Sequence, residues 1–269
     1  MKLLTFFIIF LPVVIFSQEN KTTDMKIKAK SDGNIIKAKL LMKSRMTGPE
    51  NYSRNKIEED FIKHIQIETE NETIVNITTS SSLSRNPVFR YKFKDDNKSK
   101  FIKFIITDNK GNIQKGSFNI KRKYQPEALS NTINNSSRSL IVNLPKIKPE
   151  VWKANSINET VYKLFGKIEA YTKGDFDVEI PALANCSDRI PIGIKSTENL
   201  ETLAVFDEGT KYPAIIAFSI PPKSMIDYRF DIKKRTGKYS IVIIAKDRDG
   251  KFYKVNKKGI ATYIEGLCI

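Results

Sequence analysis

Between residues 25 and 122 apolar and polar positions alternate in short runs, which predicts strands at 25–30, 35–43, 61–69, 73–79, 88–94, 101–107 and 113–121. Turn signals divide them: Asp32-Gly33, Gly48-Pro49, Asn86-Pro87 and Asn109-Lys110-Gly111-Asn112. No helical stripe interrupts the series. So many short strands in one stretch predict an all-β sandwich of immunoglobulin-like type over 25–122.

Residues 123–155 break the alternation, being polar, rich in Asn and Ser, and carrying Pro126, Pro145 and Pro149, so they read as a linker with one apolar patch at 140–144. A helical pattern follows. Ser156-Ile157-Asn158-Glu159 has the form of a capping box, Ile157, Val161, Leu164, Phe165 and Ile168 share one face, and Gly166 predicts an early end. A second strand series covers 175–180, 190–196, 201–206, 212–220, 226–232, 238–246, 251–256 and 259–264, with Asp249-Gly250 as a hairpin turn. The halves echo each other: 104–112 (Phe-Ile-Ile-Thr-Asp-Asn-Lys-Gly-Asn) parallels 243–251 (Ile-Ile-Ala-Lys-Asp-Arg-Asp-Gly-Lys). The expected architecture is two immunoglobulin-like β-sandwich domains, 25–122 and 156–269, joined by the linker, with one short helix opening the second.

The apolar run at the start changes the setting. Residues 1–17 (MKLLTFFIIFLPVVIFS) combine Lys2, about 14 apolar residues and a small residue before Gln18, the pattern of a secretory signal peptide. A membrane anchor is the alternative, but the run is shorter than the roughly 20 residues a spanning helix needs, and Pro12 interrupts it. The mature protein is therefore expected in the periplasm, exported and soluble, with no membrane association after cleavage. The formal charge of +16 falls to +15 when Lys2 leaves with the signal. In an exported protein that charge points to small anions, acidic partners or an anionic surface, and away from nucleic acid. The alternative is a Lys-rich composition that solvates every face.

Composition narrows the chemistry. One His and two Cys among 269 residues exclude a His-rich zinc site and a Cys-rich cluster. His64, in Phe61-Ile-Lys-His-Ile-Gln-Ile-Glu, shares an alternating face with Gln66 and Glu68 and reads as a solvent-side strand residue. The Asp turns at 108–112 and 247–251 lack the spacing of a calcium loop. Ser80-Ser81-Ser82-Leu83-Ser84 has no partnered base and reads against a serine nucleophile.

Cys268 is the residue placed most unlike a core filler. Four residues beyond a strand ending at Ile264 would carry its sulfur on the order of 13 Å from the domain, as an arm offering a nucleophile. The alternative is a structural disulfide with Cys186, in the loop Ala184-Asn185-Cys186-Ser187-Asp188, worth about 4 to 5 kcal/mol on the chain-entropy account. Spacing leaves the two readings equal. Ten Lys or Arg against two Asp in 232–258 form a basic approach to the tail or a solvated hairpin face. Glu265 and the terminal carboxylate oppose thiolate formation.

Several segments resemble a known family. Arg45-Met46-Thr47-Gly48, Asp60-Phe61-Ile62, the run from Leu83 to Phe89 (Leu-Ser-Arg-Asn-Pro-Val-Phe) and Asp108-Asn109-Lys110-Gly111 resemble the SoxZ subunit of the thiosulfate-oxidising carrier. Leu164-Phe165-Gly166, the stretch from Ile180 to Asn185 (Ile-Pro-Ala-Leu-Ala-Asn), Ile190-Pro191-Ile192, Asp249-Gly250-Lys251 and Gly266-Leu267-Cys268 resemble its partner SoxY, so the chain looks like a SoxZ–SoxY fusion. The resemblance implies a carrier acting with separate enzymes, not an enzyme. Cys268 would hold thiosulfate or another reduced sulfur anion covalently, a c-type cytochrome pair would form the bond oxidatively, and a sulfohydrolase would release sulfate. It further implies that the two domains pair within the chain, and it calls for no cofactor beyond the sulfur adduct. Three departures stand out. The tail is Glu265-Gly266-Leu267-Cys268-Ile269 rather than Gly-Gly-Cys-Gly-Gly, leaving Gly266 alone to supply arm flexibility; Lys43-Ser44-Arg45 lacks the family's histidine; and Cys186 stands where the family has glycine, as a resolving or disulfide partner.

Overall fold

The structure, a computed structural model, describes residues 25–49, 56–122, 148–266 and 268. The expected signal segment 1–17 and residues 123–147 of the expected linker lie outside the described residues.

The first half contributes β1 (Met25–Asp32), β2 (Ile35–Met42), β3 (Ile62–Thr69), β4 (Thr73–Thr79), β5 (Val88–Lys94), β6 (Phe101–Asp108) and β7 (Ile113–Asn119). The second contributes helix α1 (Ile157–Phe165), then β8 (Phe176–Glu179), β9 (Leu183–Ala184), β10 (Ile190–Ser196), β11 (Leu200–Asp207), β12 (Ala214–Ser219), β13 (Ile226–Ile232), β14 (Gly237–Asp247) and β15 (Phe252–Ala261). The expected strands at 251–256 and 259–264 are one strand, because the intervening lysines simply continue its exposed face: Lys258 is exposed and Lys257 half-buried. The two-residue strand β9 carried no periodic signal.

The strands form two sheets, and both run through both halves. Their orders are β1-β2-β5-β13-β10-β8 and β7-β6-β3-β4-β12-β11-β14-β15-β9. With β9 set aside, each order reads the same from either end: β5 meets β13 as β4 meets β12, and the strands outward from each junction follow in matching chain order. The sequence echo between 104–112 and 243–251 is thus the β6–β7 hairpin and its counterpart β14–β15. Both turns close alike. Asp108 accepts from the N–H groups of Lys110 and Asn112, and Asp247 from those of Asp249 and Lys251. The two sandwiches are therefore not beads on a string; they meet as two like units meet across a self-complementary interface.

Packing seals that junction. Tyr91 pairs with Tyr228 and Arg90 with Arg229 in one sheet, and Asn76 to Thr79 pair with Ile216 to Ser219 in the other. Phe89 and Phe230 stack across it at 6.2 Å. One buried cluster holds Ile36, Leu40, Ile65 and Phe104 of the first half with Ile192, Phe218, Phe230 and Ile243 of the second. The serine run at 80–84 is a strap along the same seam. Ser80 N–H donates to Ile215 O, Lys233 N–H to Ser82 O and Ser84 N–H to Asp231 O, while Leu83, fully buried, bridges Ile232.

Helix α1 begins as its sequence predicts, Ser156 Oγ accepting from Glu159 N–H at 3.2 Å, and ends at Gly166 with φ 77°. Glu159 reaches back to the N–H of Asn155 at 3.0 Å rather than to the cap residue itself. Residues at the end of the expected linker join this element: the 3-10 turn Pro149–Lys153 buries Val151 against Phe206, Ala217 and Val242, with Trp152, Val161 and Leu164 packed around them. An apolar Val-Trp pair within a polar stretch gives the alternation too little to register.

Candidate functional site

The site is built at the far edge of the nine-stranded sheet, where β9 runs parallel to the end of β15. Ile260 N–H donates to Ala182 O at 2.9 Å and Thr262 N–H to Ala184 O at 2.8 Å. Past β15 the chain keeps company with the same loop: Ser187 N–H donates to Thr262 O, Ile264 N–H to Asn185 O, and Cys186 bridges Tyr263. Gly259 permits this approach, since a Cβ there would lie 2.8 Å from Ala182 O and collide with the Tyr239 hydroxyl. Tyr239, buried beneath, donates its hydroxyl to Pro181 O.

The tail then turns back. Gly266, at φ 90°, takes a conformation that suits glycine, and Cys268 closes a disulfide with Cys186 at a Cα–Cα distance of 5.2 Å, within the normal range for the bond. The sulfur does not project from the domain, as the sequence reading of a free arm expects, but lies half-buried beside the loop. Of the two alternatives for the cysteines, the structure takes the disulfide, and neither thiol is free. The disulfide spans 82 residues of sequence but ties only the tail to one loop.

Around it the surface is apolar. Leu183, Ile260, Tyr263 and Ile264 are all exposed, Leu183 and Ile260 being register partners. Exposed apolar groups gathered at one place mark a contact surface more than scattered ones do. Beside them Ala182, Glu208, Lys238, Ser240 and Lys258 line a shallow groove of about 640 Å³.

The basic run at 232–258 does not act as one approach surface. Lys233 donates to Met46 O across the seam, and burial pushes its ammonium below the usual lysine range against the raising influence of Asp188. Lys234 pairs with Asp207, both nearly buried, and its N–H donates to Ser187 O at 2.7 Å, bracing the Cys186 loop. Lys246 pairs with Glu201, and Arg248 donates to Ile220 O. Lys238, Lys251, Lys254 and Lys258 remain exposed.

His64 is not on a solvent face. It is buried on β3, its Nδ1 3.4 Å from Thr78 Oγ1, because a register shift between Ile62 and His64 re-aims the side chain and all seven residues of β4 beside it are buried. It lies in the first half, on a different strand pair from the disulfide. Among the described residues no group of three His, Cys, Asp or Glu side chains gathers as a metal site. The chemistry available at the edge is sulfur–sulfur exchange.

Comparison with known proteins bears on the first half most directly. Residues 25–119 match the family model described as "Sulphur oxidation protein SoxZ". No curated protein matches the chain. Among solved structures, the sulfur carrier protein SoxY from Chlorobium limicola f thiosulfatophilum is 12% identical, with 41% of this chain and 96% of that one covered at a TM-score of 0.36. The fibronectin(III)-like modules of Clostridium thermocellum CbhA are 11% identical, covering 88% and 95% at 0.26. Likenesses that low carry no argument about function.

Proposed function

We propose that this chain, whose residues 25–119 match the SoxZ family model, works in the Sox sulfur-oxidation system and carries the sulfur substrate covalently on Cys268. The second half then takes the place of SoxY, so that the carrier pair is a single chain. The observation that carries this reading is a cysteine on a short tail, turned by Gly266 and tied down by one bond, at an edge ringed by exposed apolar side chains. A partner enzyme can reach such a residue. The continuous seam fits the same reading, since it fixes the domains as a unit without a second chain.

In this account the Cys186–Cys268 bond is the closed state. A thiolate attacks the Cys186 sulfur and Cys268 leaves as thiolate; a second thiolate then resolves the mixed disulfide on Cys186, the two attacking thiols ending as a disulfide and supplying the two electrons. The freed Cys268 thiolate then joins the sulfane sulfur of thiosulfate, a step that gives up two electrons to a c-type cytochrome. Water attacks the sulfonate sulfur at a sulfohydrolase, releasing sulfate and two protons and leaving a persulfide on Cys268. Cys186 serves as the resolving thiol: its thiolate attacks the inner, Cys268 sulfur of the persulfide, the outer sulfur leaves as hydrosulfide, and the disulfide closes again with no further oxidant. The signal-peptide pattern expected at 1–17 supports a periplasmic setting for this work.

The closed disulfide itself favours a second reading, an exported β-sandwich interaction module stapled between Cys186 and Cys268. The Cys268→Ser variant separates them: the carrier reading expects thiosulfate-dependent turnover in a system reconstituted with partner enzymes to vanish, while Cys186→Ser retains it. Undiminished turnover in Cys268→Ser overturns the carrier reading.

A further inference from the structure

The outer face of the six-stranded sheet carries charge in an order that composition does not explain. One cross-strand rung joins Lys28, Lys39, Arg90 and Arg229, directly opposed from strand to strand, and continues through Gly193 to Glu179. The parallel rung joins Lys121, Lys30, Lys37 and Lys92, then reaches Asp227, Lys195 and Asp177. All of these cations but Lys195, eight in number, thus stand on about 19 Å of strand spacing by about 7 Å along the strands. They line a trough of about 680 Å³.

Opposed like charges destabilise a sheet, and the two halves treat these rungs differently. In the second half the positions are balanced: Arg229 pairs with Glu179, and Lys195 with Asp177 and Glu179. In the first half Lys37 pairs with Asp32 and Lys92 with Asp227, but Lys28, Lys30, Lys39, Arg90 and Lys121 form no ion pair with a described residue, and all five are exposed. Asp231, the next carboxyl that Arg90 and Lys39 feel, is buried. A Lys-rich composition would load both halves of the rungs equally. It does not.

We propose that this face docks an acidic surface of a partner protein. A single small anion spans only two or three of these cations, so the face suits a broad partner. A second copy of so basic a chain would be repelled. The change along each rung, from unpaired cations to paired cations and carboxylates, gives the face an order that a protein surface can match, while its cationic end alone suffices to hold an acidic polypeptide. The face belongs to a different sheet from the Cys186–Cys268 edge, so the inference stands whether or not Cys268 carries sulfur.

Fluorescence anisotropy with labelled poly-L-glutamate as the acidic probe tests it on the full chain. The triple variant Lys28→Gln, Lys39→Gln, Arg90→Gln is expected to bind about tenfold more weakly than the parent at low salt, with its melting temperature equal or higher. The variant Lys63→Gln, Lys100→Gln, Lys115→Gln removes as many charges from elsewhere in the first half and is expected to stay within about twofold. Equal losses in both variants reduce the effect to net charge and overturn the proposal. So does an absence of probe binding by the parent protein. Co-sedimentation with phosphatidylglycerol vesicles that only the first variant loses, with probe affinity unchanged, would assign the face to a membrane surface instead.

Discussion

The two halves share one strand plan and differ in what they hang on it. The first half ends β7 and returns beside β1, Lys121 bridging Lys30, and leaves its outer rungs cationic. The second adds a helix before its first strand, a two-residue strand outside β15, and a cysteine tail tied to the loop after that strand. The shared plan buries the like strands β4, β5, β12 and β13 in the middle of both sheets. Added features sit on outer edges and faces, where they cost the core little. The lesson is a division of labour: the seam holds the shared core, and the periphery of each half is where the two differ.

The largest effect should come from the seam. Phe230→Ala removes a buried ring that stacks on Phe89 across the halves, and is expected to cost about 3 to 5 kcal/mol in chemical denaturation. Parent and variant should each unfold in a single transition; two separated transitions would show the halves to be independent and dissolve the comparison.

A smaller effect is expected at Asp95, buried in the first half, whose carboxylate accepts from Arg122, Ser31 and the Asn97 N–H. Burial raises this carboxyl, but the hydrogen bonds and the Arg122 charge outweigh it and hold it below its ordinary 3.8. A depressed carboxyl adds stability that is complete above that ordinary value and is lost as pH falls through the lower, folded one. Arg122→Ala should therefore destabilise by about 3 kcal/mol at neutral pH and flatten the fall in stability below pH 3.8. An unchanged acid profile would contradict this. The smallest effect has the opposite sign. Lys39→Glu sets a carboxylate between Lys28 and Arg90 and should raise stability by about 0.5 kcal/mol, read as a higher melting temperature.

Much of this plan is legible in the sequence because short runs of strand-forming residues are divided by turn signals: 73–79, 88–94, 190–196 and 226–232 coincide with the observed strands. What alternation cannot carry is pairing between elements distant in sequence. The seam, the strap at 80–84 and the charged rungs all depend on register across the sheet, and His64 is buried by a register shift that its own neighbours do not announce. Lys233 and Lys234, read as part of a basic run, spend their charge on Met46 O and Asp207, partners far away in the chain. For the cysteines, spacing leaves arm and disulfide equal; the path of the tail around Gly266 and the insertion of β9 decide the geometry.

The central claim is that Cys268 exchanges its bond with Cys186 for a bond to substrate sulfur. Peptide mapping without reduction, on protein isolated from cells oxidising thiosulfate, tests it most directly. The account predicts a fraction of molecules with a sulfur adduct on Cys268 and a free thiol at Cys186, alongside the closed disulfide. A disulfide present in every molecule throughout turnover, or an adduct mapped to Cys186 alone, would contradict it.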